Sequence, residues 1–110
     1  MSNRFTGKMV VVDTTDTQVG GVTPGIGPTG PLAIMSIKWV ATQNSGKDIA
    51  QNDDLGIKFN NASGSYIIEC RAQDSTPHQL AYSVDFPKCW IVPGLYVEDL
   101  DGGELQLFLE

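Results

Sequence analysis

The chain has 110 residues, 41% of them apolar and only 18% charged, with thirteen acids against seven bases for a net charge of −6. That length suits one domain, residues 1–110, burying roughly 65% of its unfolded surface. So acidic a body repels a phosphate backbone, which argues against nucleic-acid binding, and no run approaches the ~18 apolar residues of a membrane span.

The opening residues carry no apolar secretory core, so the chain is expected to be made in a cytoplasm with Cys70 and Cys89 as free thiols. Cys70 falls in an alternating run, as a small buried hydrophobe would. A disulfide is the alternative if the two strands adjoin.

The first strand expected is Lys8 to Val12, rich in β-branched residues. Asp13 to Thr17 ends it. Between Gly20 and Pro31, eight of twelve residues are Gly or Pro, which discourages both helix and ladder. The connection at about 14–31 therefore reads as an extended surface arm. It either touches a neighbouring subunit through Pro24, Ile26 and Pro28 or is a plain flexible loop, and in either case its deletion should leave the fold intact. Gly25-Ile-Gly27 is not a phosphate cradle, because no helix and no Lys-Ser/Thr pair follow.

Leu32 to Thr42 reads as the longest strand. Strict alternation puts Ala33, Met35, Ile37, Trp39 and Ala41 on one side and Leu32, Ile34, Ser36, Lys38, Val40 and Thr42 on the other. Trp39 is the foremost core candidate. Residues 43–47 form a turn, Asp48 to Gln51 a short strand, and Asn52 to Gly56 a turn into Ile57 to Phe59. Tyr66, Ile68, Cys70 and Ala72 then alternate against Ile67, Glu69 and Arg71. Leu80 to Phe86 alternates until Pro87 stops it. The last segment is read as a hairpin, Leu95 to Leu100 and Glu104 to Leu109, closed by Asp101-Gly102-Gly103. Its second strand places Leu105, Leu107 and Leu109 on one face. Phe108, on the opposite face, makes an outer apolar patch with Tyr96 unless a second sheet covers it.

Seven or eight short strands at spacings near 8–12 residues, with no helical period, predict an all-β fold. An antiparallel β-sandwich or jelly-roll-like barrel fits that pattern. No motif places a nucleophile beside His78, so the expectation is a protein that is not an enzyme and needs no cofactor. One His and two distant Cys make a poor metal set. Asp53 and Asp54 read as caps of backbone N–H groups, and Asp99 to Glu104 lacks the spacing of a calcium loop.

Three stretches, Asn3 to Lys8 leading into a Val-rich strand, Ser36-Ile-Lys-Trp39, and Trp90-Ile-Val-Pro-Gly-Leu-Tyr-Val97 with Leu100 to Phe108, resemble small virion proteins of tailed bacteriophages, notably capsid cement or head-decoration proteins. The Gly20 to Pro31 loop is longer than that pattern. The resemblance implies a structural protein on the outer capsid surface. It would act as a trimer or dimer whose partner is the major capsid protein. The alternative is a host-receptor or carbohydrate-binding module of a tail or fibre, in which Trp90 or Tyr66 meets the ligand.

Overall fold

In the computed structural model, which describes residues 3–41, 49–72 and 80–110, the chain forms nine strands and no helix among the described residues. They are β1 Arg4–Thr6, β2 Met9–Val12, β3 Thr17–Val19, β4 Leu32–Val40, β5 Asp54–Phe59, β6 Tyr66–Arg71, β7 Leu80–Val92, β8 Leu95–Leu100 and β9 Glu104–Leu109. A five-stranded sheet runs β1-β2-β9-β4-β7 and a four-stranded sheet runs β3-β8-β5-β6. All strand pairs are antiparallel. From β2 onward this is the strand order of a jelly roll, two interlocked Greek keys, with β1 added at one edge.

The all-β sandwich is as expected, but there are nine strands rather than seven or eight. The two extra are short. β1 folds back on β2 through a turn in which Gly7 takes φ +60°, and β3 lies inside the stretch expected to be loop. Asp48 to Gln51 is not a strand: Ile49 makes one isolated bridge, Gln51 and Asn52 turn, and residue 48 lies outside the described residues, as do the 43–47 turn and His78.

The expected closing hairpin does not form. β8 pairs with β3 and β5, whereas β9 pairs with β2 and β4 in the other sheet. Asp101-Gly102-Gly103 carries the chain between sheets. Its turn chemistry would allow a hairpin, but two distant partners on each strand satisfy more of the backbone than one local partner could. The crossover is pinned from both sides. Trp39 Nε1 donates to the Gly102 carbonyl at 2.8 Å, and Asp54 N donates to Asp101 Oδ2 at 2.9 Å. Gly103 takes φ +69°, and a Cβ there would sit 2.5 Å from the Val40 carbonyl oxygen.

β4 does not alternate strictly. A bulge at Met35 shifts the register between Ile34 and Ser36, so Leu32 and Ile34 are buried before it and Ile37, Trp39 and Ala41 after it. Both apolar subsets of the strand thereby face inward, and Met35 is left 45% exposed. Opposite it, β7 loops out Phe86 to Cys89, since Ile34 faces Trp90 while Ser36 faces Asp85. Pro87 therefore interrupts β7 without ending it, as a sheet edge tolerates a missing donor. In β6 a shift between Ile57 and Lys58 leaves Ile67 unpaired. Ile68 and Cys70 pack on the core, while Tyr66 turns to the outer face, away from its expected side.

The core fills the space between the sheets. Val10, Val12, Leu32, Ile34, Ile37, Trp39, Val92, Leu105 and Leu107 come from one layer, and Val19, Leu55, Ile57, Leu95, Val97 and Leu100 from the other. Trp39 is 1% exposed, as expected, whereas Trp90 of the same sheet is only partly buried.

The Gly/Pro-rich stretch is no extended arm. Gly21 and Gly30 exchange backbone hydrogen bonds of 2.8 and 2.7 Å, and Gly25 and Ile26 both donate to the Gln18 carbonyl, at 2.8 and 3.1 Å. Ile26 packs against the core. At Gly20, φ is +66° and a Cβ would lie 2.7 Å from Leu32. Glycine is needed there both for the backbone and for the contact. The segment closes one end of the sandwich.

Candidate functional site

Each sheet has one face in the core and one outside, and the two outer faces differ in chemistry.

On the outer face of the five-stranded sheet, alternation brings Met9, Phe108 and Ser36 into one row and Val11, Gln106 and Lys38 into the next. Val11 is buried yet stands apart from the core cluster, between Arg4 and Gln106 in the ladder. Further along the same face are Ala33, Val40 and Ile91, the last 71% exposed. Met35 emerges beside them at the bulge. One ion pair, Arg4 to Glu104 at 3.4 Å, crosses this surface. β2 and β4 carry aliphatic or sulfur-containing residues at both parities, a pattern that periodicity alone reads as fully buried strands, and β9 adds Phe108 to this face between the polar Gln106 and Glu110.

The outer face of the four-stranded sheet is polar. Among the described residues, Asp16, Asp54, Glu69, Glu98, Asp99 and Asp101 stand there or at its rim, with Lys58 and Arg71 as the bases. Arg71 grips Asp54 with two hydrogen bonds, 2.7 and 3.2 Å, and Lys58 Nζ lies 2.7 Å from Glu98. The hydrogen bond from Arg71 holds the Asp54 carboxyl below the usual carboxylate range, and the one from Lys58 does the same for Glu98. Tyr66 donates its hydroxyl to Glu98 and approaches Asp99 Oδ2 at 3.3 Å. The hydrogen bond to Glu98 keeps the phenol protonated well above its ordinary range. This arrangement needs Gly56, where a Cβ would come within 2.9 Å of both Asp99 Oδ2 and the Tyr66 ring. A shallow cleft of ≈ 410 Å³ opens here, lined by Asp54, Leu55, Gly56, Glu69, Cys70, Arg71 and Asp99.

Of the residues expected at an interface, Ile26 is engaged with the core, and Pro24 and Pro28 are half-buried in the folded loop. Tyr96 and Phe108 do not share a patch. Tyr96 pairs with Gln18 and Lys58, and its hydroxyl lies 3.3 Å from Asp16 Oδ1. Phe108 pairs with Met9 and Ser36 on the other sheet. The joint patch rested on the hairpin and disappears with it. Through Gln18, Tyr96 is instead close to the Gly20 to Pro31 loop.

Trp39 is too deeply buried for any ligand. Trp90 packs on Phe86 with ring centroids 5.2 Å apart, and Lys58 Nζ sits 5.1 Å from the Tyr66 ring centroid, so each of these two aromatics has one side engaged. Cys70 and Cys89 are free, on edge strands of different sheets, and burial raises both thiols above their ordinary range. Asp53 caps the backbone, accepting from Ala50 N at 2.8 Å. Among the described residues, no three His, Cys, Asp or Glu side chains converge as metal ligands. The Tyr66, Glu98 and Asp99 group went unread in the sequence. Its one local signal is Gly56 inside an apolar strand, which marks close approach by another group.

Compared with known proteins, the chain has no significant match to a family model, to a curated protein or to a solved structure.

Proposed function

We propose that this chain is a non-enzymatic structural protein of a virion, of the cement or head-decoration type, and that it docks on the outer capsid lattice. The virion setting and the major capsid protein as partner come from the sequence resemblance. What supports docking is the apolar outer face of the five-stranded sheet. Exposed apolar side chains on a face that no second layer covers among the described residues mark a contact surface: here Met9 pairs with Phe108, Met35 emerges at the bulge 45% exposed, and Ile91, further along the face, is 71% exposed. A rigid two-sheet body loses little entropy on docking, and repeated copies on a closed shell, as trimers or dimers, gain by avidity. The acidic face would then point to solvent.

Co-sedimentation with undecorated heads of the phage that carries the gene tests this. Binding should saturate at a copy number fixed by the lattice, and Ile91→Lys and Phe108→Lys should each abolish it while the protein stays folded. Absence of binding, or binding that both variants retain, rejects the reading.

The carbohydrate- or receptor-binding alternative draws on the cleft, where Tyr66 is 38% exposed close to Glu69 and Asp99. With Lys58 over its ring, Tyr66 offers less stacking surface than a sugar platform uses, so docking is preferred. Binding on a glycan array that is lost in Tyr66→Ala would reverse that preference.

A further inference from the structure

We propose that β6 is a docking edge that accepts an extended segment of another protein, one that alternates apolar and basic side chains, as an added strand of the four-stranded sheet. The inference does not depend on the virion reading.

Among the described residues the sandwich has four edge strands: β1, β7, β3 and β6. Exposed edges template unwanted pairing, and folds guard them by shortness, proline, lysine or bulges. β1 and β3 are three residues each. β7 carries Pro87, Lys88 and a four-residue loop-out with Cys89 at φ 47°. β6 has six residues, Tyr66–Arg71, with no proline and no lysine, and its one irregularity is at Ile67, near its start. From Ile68 to Arg71 it pairs on one side with β5 and has no strand on the other among the described residues.

Both sides of that edge suit an incoming strand. Toward the interior, Ile68 and Cys70 of β6 and Tyr82, Val84 and Phe86 of β7 are only partly buried, although they pack on the core. Among the described residues these apolar side chains are therefore incompletely covered at the seam between the sheets, and apolar side chains of an added strand would cover them further. Toward solvent, the ≈ 410 Å³ cleft lies beside the same residues and is lined by Asp54, Glu69 and Asp99, with Arg71 already committed to Asp54. Glu69 is exposed and has no hydrogen-bonding or ionic partner among the described residues. Basic side chains on the outer parity of the added strand would meet it. Residues two apart on a strand share a face, so one alternating segment satisfies both sides, with main-chain hydrogen bonds supplying affinity. A second copy of this chain fits poorly. Pairing β6 with β6 would bring two Glu69 carboxylates and two acidic clefts together.

The test uses the full-length protein and three blocked peptides: one alternating Val with Lys, one alternating Val with Glu, and a Val/Lys peptide N-methylated along one edge. Calorimetry should show binding of the Val/Lys peptide alone, with new amide-exchange protection confined to 67–71. Glu69→Lys, a change at an exposed side chain, should weaken that binding about tenfold or more, whereas Ser83→Lys on β7 should leave it unchanged. Equal binding of the N-methylated peptide would reduce the effect to charge attraction and overturn the proposal. So would protection mapping to β7, or no binding at all. Concentration-dependent dimers protected at β6 would show that the occupant is a second copy and would also overturn it.

Discussion

The two sheets share one core but turn opposite chemistries outward. The five-stranded sheet shows Met9, Met35, Phe108 and Ile91, while the four-stranded sheet shows Asp54, Glu69, Glu98 and Asp99. The shared core lies between the inner faces, and apart from Val11 and Glu104, which are buried on the outer face of the five-stranded sheet, the outer faces are free to specialise. The comparison also separates what holds the protein together from what it can recognise. Substitutions inside should affect both sheets at once, and those outside should affect one surface and leave stability nearly untouched.

The largest effect is expected at the centre. Trp39 is 1% exposed and its indole N–H ties the five-stranded sheet to the crossover that enters it from the other. Trp39→Ala should cost about 3–5 kcal/mol and unfold both sheets in one transition in urea. Two separate transitions would show that the sheets do not share a core. Next comes the loop at the end of the sandwich. Gly20→Ala forces a Cβ against Leu32 at positive φ and should cost about 2–4 kcal/mol by denaturant melting. Deleting Gly20 to Pro31 should destabilise at least as much, because Ile26 leaves the core with it. A deletion variant with wild-type melting would return this segment to the status of an idle arm.

How much of this was legible in the sequence follows the same division. Strand existence was readable wherever side chains alternate, and β8 and β9 came out with the bounds expected. Pairing was not, because Asp101-Gly102-Gly103 serves a hairpin or a crossover equally well and the choice is made by β2, β4, β3 and β5. Parity failed at Met35 and Ile67, where a bulge reverses the side every later residue faces. Composition pointed to an arm at Gly20 to Pro31, yet the glycines are there to let the backbone fold tightly against Gln18 and Leu32. The acidic cleft assembles from β5, β6 and β8, so no local window contains it.

On the outer faces the expected changes are small in stability and selective in consequence. Ile91→Lys should shift unfolding free energy by no more than about 0.5 kcal/mol while removing docking. Gly56→Ala should displace the Tyr66 ring and Asp99, both movable side-chain ends, with little loss of fold. Phenolate absorbance during alkaline titration should then show one tyrosine ionising closer to its ordinary pKa than in the wild type. An unchanged titration would mean that Tyr66 is not held by the Glu98 and Asp99 pair.

The smallest effect is electrostatic and distinguishes the two surfaces by pH. Asp54 has its carboxyl pKa depressed in the fold by the hydrogen bonds from Arg71. A depressed folded pKa stabilises above the unfolded value, ordinarily 3.8 for this group, and that contribution disappears as pH falls through the folded value. Glu98, held by Lys58, acts in the same direction. Both pairs are partly exposed, with Arg71 and Asp54 side chains at 65% and 39%, so water and salt screen them heavily. Melting temperature measured from neutral pH down into the acid range should therefore fall less steeply for Asp54→Asn than for the wild type, and the two profiles should converge in strong salt. Parallel profiles at every salt concentration would mean that the Arg71 contact contributes nothing in solution. The acidic face would then owe its arrangement to the backbone register of β5, β6 and β8 alone. The same titration should not distinguish Phe108→Ser from wild type in slope, because that outer face places no new proton-binding group beside the substituted ring.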